Sequence, residues 1–209
     1  MQQQQPGRTI RIFPSLATKM LDADCRLHDK PVTAVFRVWL ILRDISKSGY
    51  VPLEDLQRAT RSTFGARQLK KLLQQGEEVF WHRHKSDGVV FVRSAGAARL
   101  AAFFGLARFN NSPVDIPTRY LYGSIVDFRA GIYSTFDAGR KDPRPITRER
   151  KRLVTGRCAR TQRKYEAITK TAVGTSLRIL SDYSEHSLQS ARIGDGLAAF
   201  KFVDYQGRQ

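Results

Sequence analysis

The sequence predicts a mainly α-helical protein with small β-hairpins, an α+β fold organised as two similar halves. Two long segments, residues 33–47 and 119–136, carry apolar residues at helical spacing and need a core around them. Each is followed by a short helix, a turn and a basic second helix. An Asp-Gly pair between two β-type runs, at residues 87–88, adds a strong hairpin signal.

The charge of the chain indicates a polyanionic partner. The 209 residues carry a formal net charge of +17 at pH 7, and 41% of them are hydrophobic, which is enough to build a core. The excess is not confined to a tail, because residues 1–107 carry +8 and residues 108–209 carry +9. Such a surface favours nucleic acid. Two basic halves suggest two contact surfaces for one partner.

The first elements can be placed from local patterns. Residues 1–8 are a polar, glutamine-rich lead. Ile10, Ile12 and Phe13 predict a short strand that ends before Pro14, and residues 15–25 predict a short helix. Residues 33–47 are apolar on nearly every side, which is typical of a central core helix, and Gly49 suits its C-terminal end.

A helix-turn-helix pattern follows this core helix. Pro52 suits a first helical turn, residues 60–63 predict a turn, and residues 65–75 predict a second helix with its leucines inward. Residues 79–84 and 89–93 then predict the two strands of the Asp-Gly hairpin.

This order of elements, over residues 30–107, resembles a winged helix-turn-helix domain. In that family the third helix enters the DNA major groove and the hairpin, called the wing, contacts the DNA backbone or the minor groove. The resemblance implies that the third helix contacts DNA through Arg67, Gln68, Lys70 and Lys71, and that the wing contributes His82, Arg83, His84 and Lys85.

The boundary between the halves is predicted where Asn110, Asn111, Ser112 and Pro113 break the helical pattern. The predicted divisions are a lead over residues 1–29, a winged-helix domain over 30–107, a linker over 108–117 and a second helix-turn-helix domain over 118–209. A second wing is expected to begin within residues 172–180, and residues 200–205 predict a last strand.

The second half contains the most basic stretch, residues 145–170. It predicts a helix, a turn at Gly156 where a positive φ favours glycine, and a second helix. Thr147 suits the N-cap of the first helix. The string of residues 159–166 resembles the recognition helices of bacterial and phage helix-turn-helix proteins. Its expected groove contacts are Arg160, Gln162, Arg163 and Lys164, and the cations expected near phosphates are Arg148, Arg150 and Lys151. Arg157 is a further expected DNA contact.

Catalysis is not expected from this sequence. The histidines and Asp87 do not make a convincing metal set, the cysteines Cys25 and Cys158 match no zinc spacing, and no phosphate-binding GxxxxGK[ST] motif occurs. The tyrosines match no strand-cleaving pattern. No metal, cofactor or membrane contact is expected, and a cytoplasmic, nucleoid-associated location follows.

The sequence therefore predicts a sequence-specific double-stranded DNA-binding protein that uses two helix-turn-helix units. Its tandem winged-helix plan resembles that of plasmid and phage replication initiators, which implies a role in replication initiation or partition. A transcriptional regulator and a nucleic-acid- and protein-binding adaptor in a larger complex remain alternatives. RNA, other protein subunits and a second copy of the chain are alternative partners.

Overall fold

A computed structural model describes residues 8–22, 24–46, 49–107, 109, 112–138, 146–175 and 199–203. Over these residues the chain is an α+β protein of helices and small antiparallel sheets, as the sequence predicts. The predicted lead over residues 1–7, the part of the predicted second wing over residues 176–180 and the end of the predicted last strand at residues 204–205 lie outside the described residues.

The N-terminal elements are β1 (Thr9–Ile12), α1 (Pro14–Leu21), β2 (Arg26–Leu27) and β3 (Lys30–Pro31). The short strand and the short helix predicted here are confirmed. Strand β1 pairs antiparallel with β7 (Val114–Pro117), so that Thr9 lies opposite Pro117 and Ile12 opposite Val114. The segment predicted as a linker thus contains a strand whose partner belongs to the predicted lead.

The first unit comprises residues 33–94. Its elements are α2 (Thr33–Ile45), β4 (Tyr50–Pro52), α3 (Leu53–Thr60), α4 (Ala66–Gln75), β5 (Trp81–Ser86) and β6 (Val89–Ser94), and α5 (Ala97–Phe103) follows it. The strands form one antiparallel sheet in the order β4-β6-β5. The hairpin is confirmed, and Asp87 and Gly88 turn it with φ of 50° and 82°. Strand β4 was not expected; it forms because Val51 pairs with Val92 of the hairpin.

The second unit comprises residues 125–203 and is preceded by α6 (Arg119–Tyr122). Its elements are α7 (Ile125–Ala138), β8 (Ile146–Thr147), α8 (Arg148–Thr155), α9 (Ala159–Thr169), β9 (Ala172–Thr175) and β10 (Ala199–Val203). The prediction of one unbroken helix over residues 119–136 is wrong. The chain breaks at Gly123, and Ser124 and Asp127 cap α7 reciprocally, each backbone N–H donating to the other's side chain at 2.9 and 3.1 Å.

The two units share one topology. Among the described residues, each runs helix, strand, helix, helix, strand, strand, and in each sheet the last described strand lies between the other two, as β4-β6-β5 and β8-β10-β9. The agreement extends to the sheet order, which local sequence patterns do not determine.

A continuous apolar core joins the units. It runs from Ile10 and Leu16 through the core helix α2 to Phe128 of α7 and Tyr165 of α9. Helix α1 packs mainly against α7. The first and second halves are therefore connected through a shared interior.

Arg37, in the mostly apolar helix α2, joins the two halves through contacts with residues of both. Its side chain is buried and stacks between the rings of Phe64 and Phe128, with its Cζ 5.2 and 5.5 Å from their centroids. Its Nε donates to the Leu121 carbonyl at 2.7 Å, and its terminal nitrogen donates to the Gly123 carbonyl. Burial lowers the pKa of the guanidinium to about 10. One arginine thus satisfies the carbonyls where α6 ends.

Across the described ranges, no helix combines the length and the apolar character required to cross a bilayer.

Candidate nucleic-acid interface

The predicted helix-turn-helix of the second half is present as α8, a three-residue connection and α9. Gly156 ends α8 with φ of 66°, and its N–H donates to the Arg152 carbonyl at 2.8 Å. Thr147 caps the start of α8, where its hydroxyl accepts from the Arg150 N–H at 3.1 Å. Both local predictions, the left-handed turn glycine and the threonine cap, are confirmed.

The helix pairs α3–α4 and α8–α9 can be aligned with each other, one helix at a time, from their buried residues. Near the end of the first helix, the Thr60 hydroxyl donates to the Leu56 carbonyl at 2.7 Å. The Thr155 hydroxyl donates to the Lys151 carbonyl at the same distance. In the second helix, the inward positions are Leu69, Leu72 and Leu73 in α4 and Gln162, Tyr165 and Glu166 in α9.

When the inward positions of α4 and α9 are aligned, the exposed cations of the two helices fall at equivalent positions. The spacing of the three inward residues is the same in both helices, so each position of α4 has one counterpart in α9. Every matched pair below is exposed on both helices. The pairs are Arg67 with Arg160, Lys70 with Arg163, and Lys71 with Lys164.

On each helix, the residues of the face opposite the core are called the tip residues below. With about 3.6 residues per turn, Arg67, Lys71 and Gln74 lie opposite the three leucines of α4, and all three are exposed. Arg160 and Lys164 take the same places on α9. Lys70 and Arg163 lie nearer the flank.

Two residues predicted to touch DNA are buried instead, and this corrects the expectation that their side chains lie at the surface. Gln162 has no exposed surface; its amide donates to the carbonyls of Arg148 and Arg157 at 3.0 and 2.7 Å. It ties the start of α8 to the connection before α9. Lys151 is also fully buried. Neither side chain can reach a base or a phosphate from this position.

Lys151 belongs to a buried ionic cluster formed by Tyr133, Asp137, Arg148, Lys151 and Glu166. The Lys151 ammonium lies 2.6 Å from Asp137 Oδ2 and 3.5 Å from Glu166 Oε1. Arg148 donates to both Glu166 oxygens, at 3.1 and 2.9 Å, and the Tyr133 hydroxyl donates to Glu166 at 3.3 Å. The cluster connects α7, α8 and α9.

Burial is the largest influence on the titration of this cluster. It lowers the pKa of Lys151, against the opposing attraction of Asp137 and Glu166. It raises the pKa of Tyr133, with help from the two carboxylates. Sequence reasoning missed Asp137 and Glu166. The signal that exists is the spacing of Gln162, Glu166 and Thr169, which puts polar residues on one face of α9.

The remaining residues predicted to contact DNA differ in how exposed their side chains are and in whether they already have a protein partner. Arg150 is exposed on α8 and Arg157 is half-buried in the connection. The Arg148 side chain is only 15% exposed and is engaged by Glu166. On the β5–β6 hairpin, Lys85 is exposed near the turn, whereas Arg83 forms an ion pair with Glu77.

Two grooves flank α4. The first, of about 890 Å³, lies between α3 and α4 beside strand β5. Its cations outnumber the single acid Glu54; they are Arg58, Arg61, Arg67, Lys70 and Arg83. Its floor is apolar.

The second groove, of about 850 Å³, is termed here the inter-unit groove because both units line it. Gln68, Leu72 and Gln75 of α4 form one side, on the flank opposite the first groove. The rest comes from the β3 region, the turn before α4 and the start of the second unit. Its polar lining includes Lys30, Ser62, Thr63, Ser124 and Arg129.

Two of the described histidines, His82 and His84, contact other side chains. His82 bonds to Arg99 at 2.9 Å, and His84 packs against the rings of Tyr50 and Phe91. Within the described ranges, no group of three His, Cys, Asp or Glu side chains is placed to hold a metal ion.

No protein-family model, curated protein sequence or solved structure matches this chain. The evidence for the function of the protein therefore comes from the geometry of the chain itself.

Proposed function

We propose that the protein is a sequence-specific binder of double-stranded DNA with two winged helix-turn-helix units in tandem. The observation that carries the proposal is the repeated presentation of three cations on α4 and α9 at matched positions. Two exposed helices with the same charge pattern, on units of the same topology, suit a long polyanion with repeated binding positions.

The order of elements supports the winged-helix assignment. In each unit, a core helix precedes a strand and two helices, and two further strands complete a small antiparallel sheet. The hairpin of β5 and β6 stands where that family has its wing, and it carries Lys85 near its tip. On this assignment α4 and α9 are the recognition helices.

The proposed base contacts are the tip residues Arg67, Lys71, Arg160 and Lys164. Arginine can donate to both O6 and N7 of guanine in the major groove. Lys70 and Arg163, on the flank, are assigned to phosphates, together with Arg150 of α8. Lys151 and Gln162 are excluded from this set because they are buried.

The proposed biological role is replication initiation or partition of a plasmid or phage type. Its support is the tandem arrangement of two similar units on one chain, which suits repeated sites on one DNA molecule. A transcriptional regulator would make the same contacts. Selection of bound duplexes from a random pool would test the proposal: a discrete motif is expected, and its genomic positions would separate the two roles.

A protein-binding adaptor is a second candidate, and one observation favours it. Leu153 and Val154 of α8 are 68% and 44% exposed. Adjacent exposed apolar residues on a short helix suit contact with another protein. If the random pool gives no enriched motif, the adaptor function becomes the better account.

Substitution at the tip tests the assigned contacts. Arg160→Ala should weaken binding to the selected site by about 1–3 kcal/mol and relax preference at one base pair. Arg11→Ala is the matched control, since Arg11 is 73% exposed on β1 and lines neither groove. Equal losses for the two variants on all sequences would contradict base reading by α9.

A further inference from the structure

Helix α4 lies between two grooves that are lined in part by cations, and this position has a geometric consequence. An α-helix with its side chains is about 10–12 Å across, and the major groove of DNA is about 12 Å wide. A helix that enters the groove therefore has a sugar–phosphate backbone close to each flank. The first groove and the inter-unit groove occupy these two flanks of α4.

The first groove needs no new assignment, because Arg67 and Lys70 are already assigned to the DNA contact and Arg83 is paired with Glu77. The inter-unit groove contains residues that nothing so far has connected with DNA. Lys30 lies on β3 and Arg129 lies on α7, so they come from outside the helix-turn-helix of the first unit.

The charges of the inter-unit groove favour an anion. Lys30 and Arg129 form no ion pair within the part of the chain that the structure describes, and none of the described residues lining the groove is acidic. Arg37 adds a buried guanidinium at the base. Unneutralised cations in a concave surface raise the local potential for an anion.

Hydroxyl and amide groups complete the lining. Ser62 and Ser124 are exposed at the groove, and Gln68 and Gln75 face it from α4. The Thr63 Oγ1 atom is buried without a hydrogen-bond partner in the described structure. Hydroxyl, amide and cationic side chains are the groups that proteins use to contact DNA phosphates.

We propose that the inter-unit groove binds a backbone phosphate of the duplex whose major groove receives α4, with Lys30 and Arg129 as its cationic contacts. This rests on the proposed function. It adds that the second unit completes the DNA site of the first, because Arg129 belongs to α7. The two units then bind one site jointly at their boundary.

The test uses the full chain and the duplex selected by the wild type. Lys30→Gln and Arg129→Gln are each compared with Arg11→Gln, which removes one exposed cation of the same charge away from both grooves. Affinity is measured across salt concentrations. Each groove variant should reduce the magnitude of the log–log salt slope by about 0.9, and the control should leave the slope unchanged.

A duplex series in which one phosphate at a time is replaced by a neutral methylphosphonate locates the contact. The wild type should lose affinity at a phosphate beside the α4 site. At that same position, Lys30→Gln or Arg129→Gln should lose little more, because the partner charge is already absent. Thermal unfolding of each variant checks that the fold is intact, and Lys30, which is exposed, provides the variant least able to perturb it.

The outcomes separate the two proposals. If the wild type binds a selected duplex but both groove variants behave like the control, the inter-unit groove is not a phosphate site and the DNA-binding proposal stands. If the wild type binds no duplex more tightly at low salt than at high salt, both proposals are overturned.

Discussion

At the scale of single residues, the two cysteines occupy opposite environments. Cys158 is the exposed N-cap of α9, where contact with the Thr161 hydroxyl, 3.3 Å from its sulfur, and with the Thr161 N–H lowers the pKa of the thiol. Cys25 is buried, and burial raises the pKa of its thiol to about 11. Because the thiolate is the nucleophile, their reactivities should differ strongly.

We expect iodoacetamide at neutral pH to alkylate Cys158 quickly and Cys25 only on unfolding, as followed by peptide mass spectrometry. Saturating duplex DNA should slow the alkylation of Cys158, because it lies at the start of a proposed recognition helix. Cys158→Ser provides the control for labelling at Cys25. Equal rates with and without bound DNA would argue against insertion of α9.

The pKa of Cys25 also predicts a pH dependence of stability. Its folded pKa of about 11 lies above the reference value of 9.0, so the folded state retains a proton that the unfolded state releases. Stability should therefore fall as pH rises from about 9 to about 11, by about 2–3 kcal/mol from this group. Denaturant unfolding across this range, compared with Cys25→Ala, measures the contribution. Parallel curves for the two proteins would contradict it.

Gly156 combines a left-handed backbone conformation with open space around its Cα. Its φ is 66°, and an added Cβ would meet nothing within 4 Å. The cost of Gly156→Ala should therefore be conformational, about 1–2 kcal/mol of the free energy of unfolding. Gly156→Asn should cost less, since asparagine tolerates the left-handed region. Chemical denaturation of both variants tests this; an alanine variant as stable as the wild type would be inconsistent with the left-handed turn.

At the scale of elements, the two units fill equivalent buried positions with residues of different chemistry. Where α3 and α4 place Leu56 and Leu73, α8 and α9 place Lys151 and Glu166. Asp137 and Arg148 extend the second pair into a cluster. A buried ion pair rarely stabilises more than an apolar pair of similar size, because both charges lose their hydration.

This comparison predicts opposite results for single and combined substitutions. Lys151→Met should cost about 3–5 kcal/mol, since it removes the buried ammonium that lies 2.6 Å from Asp137 and 3.5 Å from Glu166. Combining Lys151→Leu with Glu166→Leu, Asp137→Ala and Arg148→Met should recover most of that loss, because no buried charge of the cluster is then left behind and the site resembles the leucine pair of the first unit. Urea unfolding of both variants is the measurement. A combined variant less stable than Lys151→Met would indicate that the cluster itself is stabilising.

The elements that the sequence predicts well are those specified locally. The apolar run of α2, the Asp87-Gly88 hairpin and the turn at Gly156 each depend on neighbouring residues. The inward face of α9 could not be identified by apolar periodicity, because Gln162 and Glu166 occupy it. Gln162 was for that reason predicted as a base contact, although it is buried.

Pairings between distant segments also could not be predicted from the sequence. Strand β1 and strand β7 are more than 100 residues apart, and nothing in either sequence names the other as its partner. The same limit applies to the inter-unit groove, since Lys30 and Arg129 meet only through the tertiary fold. The cations of α4 and α9 were predicted correctly as exposed because amphipathic spacing is a local property.

At the scale of the whole molecule, the shared interior indicates that the halves depend on each other. Helix α1 belongs to the segment predicted as a lead, yet it packs mainly against α7, the core helix of the second unit. Arg37 of the first unit satisfies the carbonyls of Leu121 and Gly123. The domain boundaries remain a prediction. These contacts give the boundary region a structural role.

Truncation of a buried leucine in α1 tests, in the full chain, whether the two halves depend on each other for stability. Leu16 of α1 has no exposed surface, so Leu16→Ala should lower the free energy of unfolding by about 2–5 kcal/mol. Because α1 packs mainly on α7, amide hydrogen exchange should accelerate in α7 and α9 as well as in α1. Leu153→Ala is the matched control: it truncates a leucine that is 68% exposed and should change stability by less than about 0.5 kcal/mol. If Leu16→Ala accelerates exchange in α1 alone, residues 1–29 are a separable lead, and the two units do not share their stability.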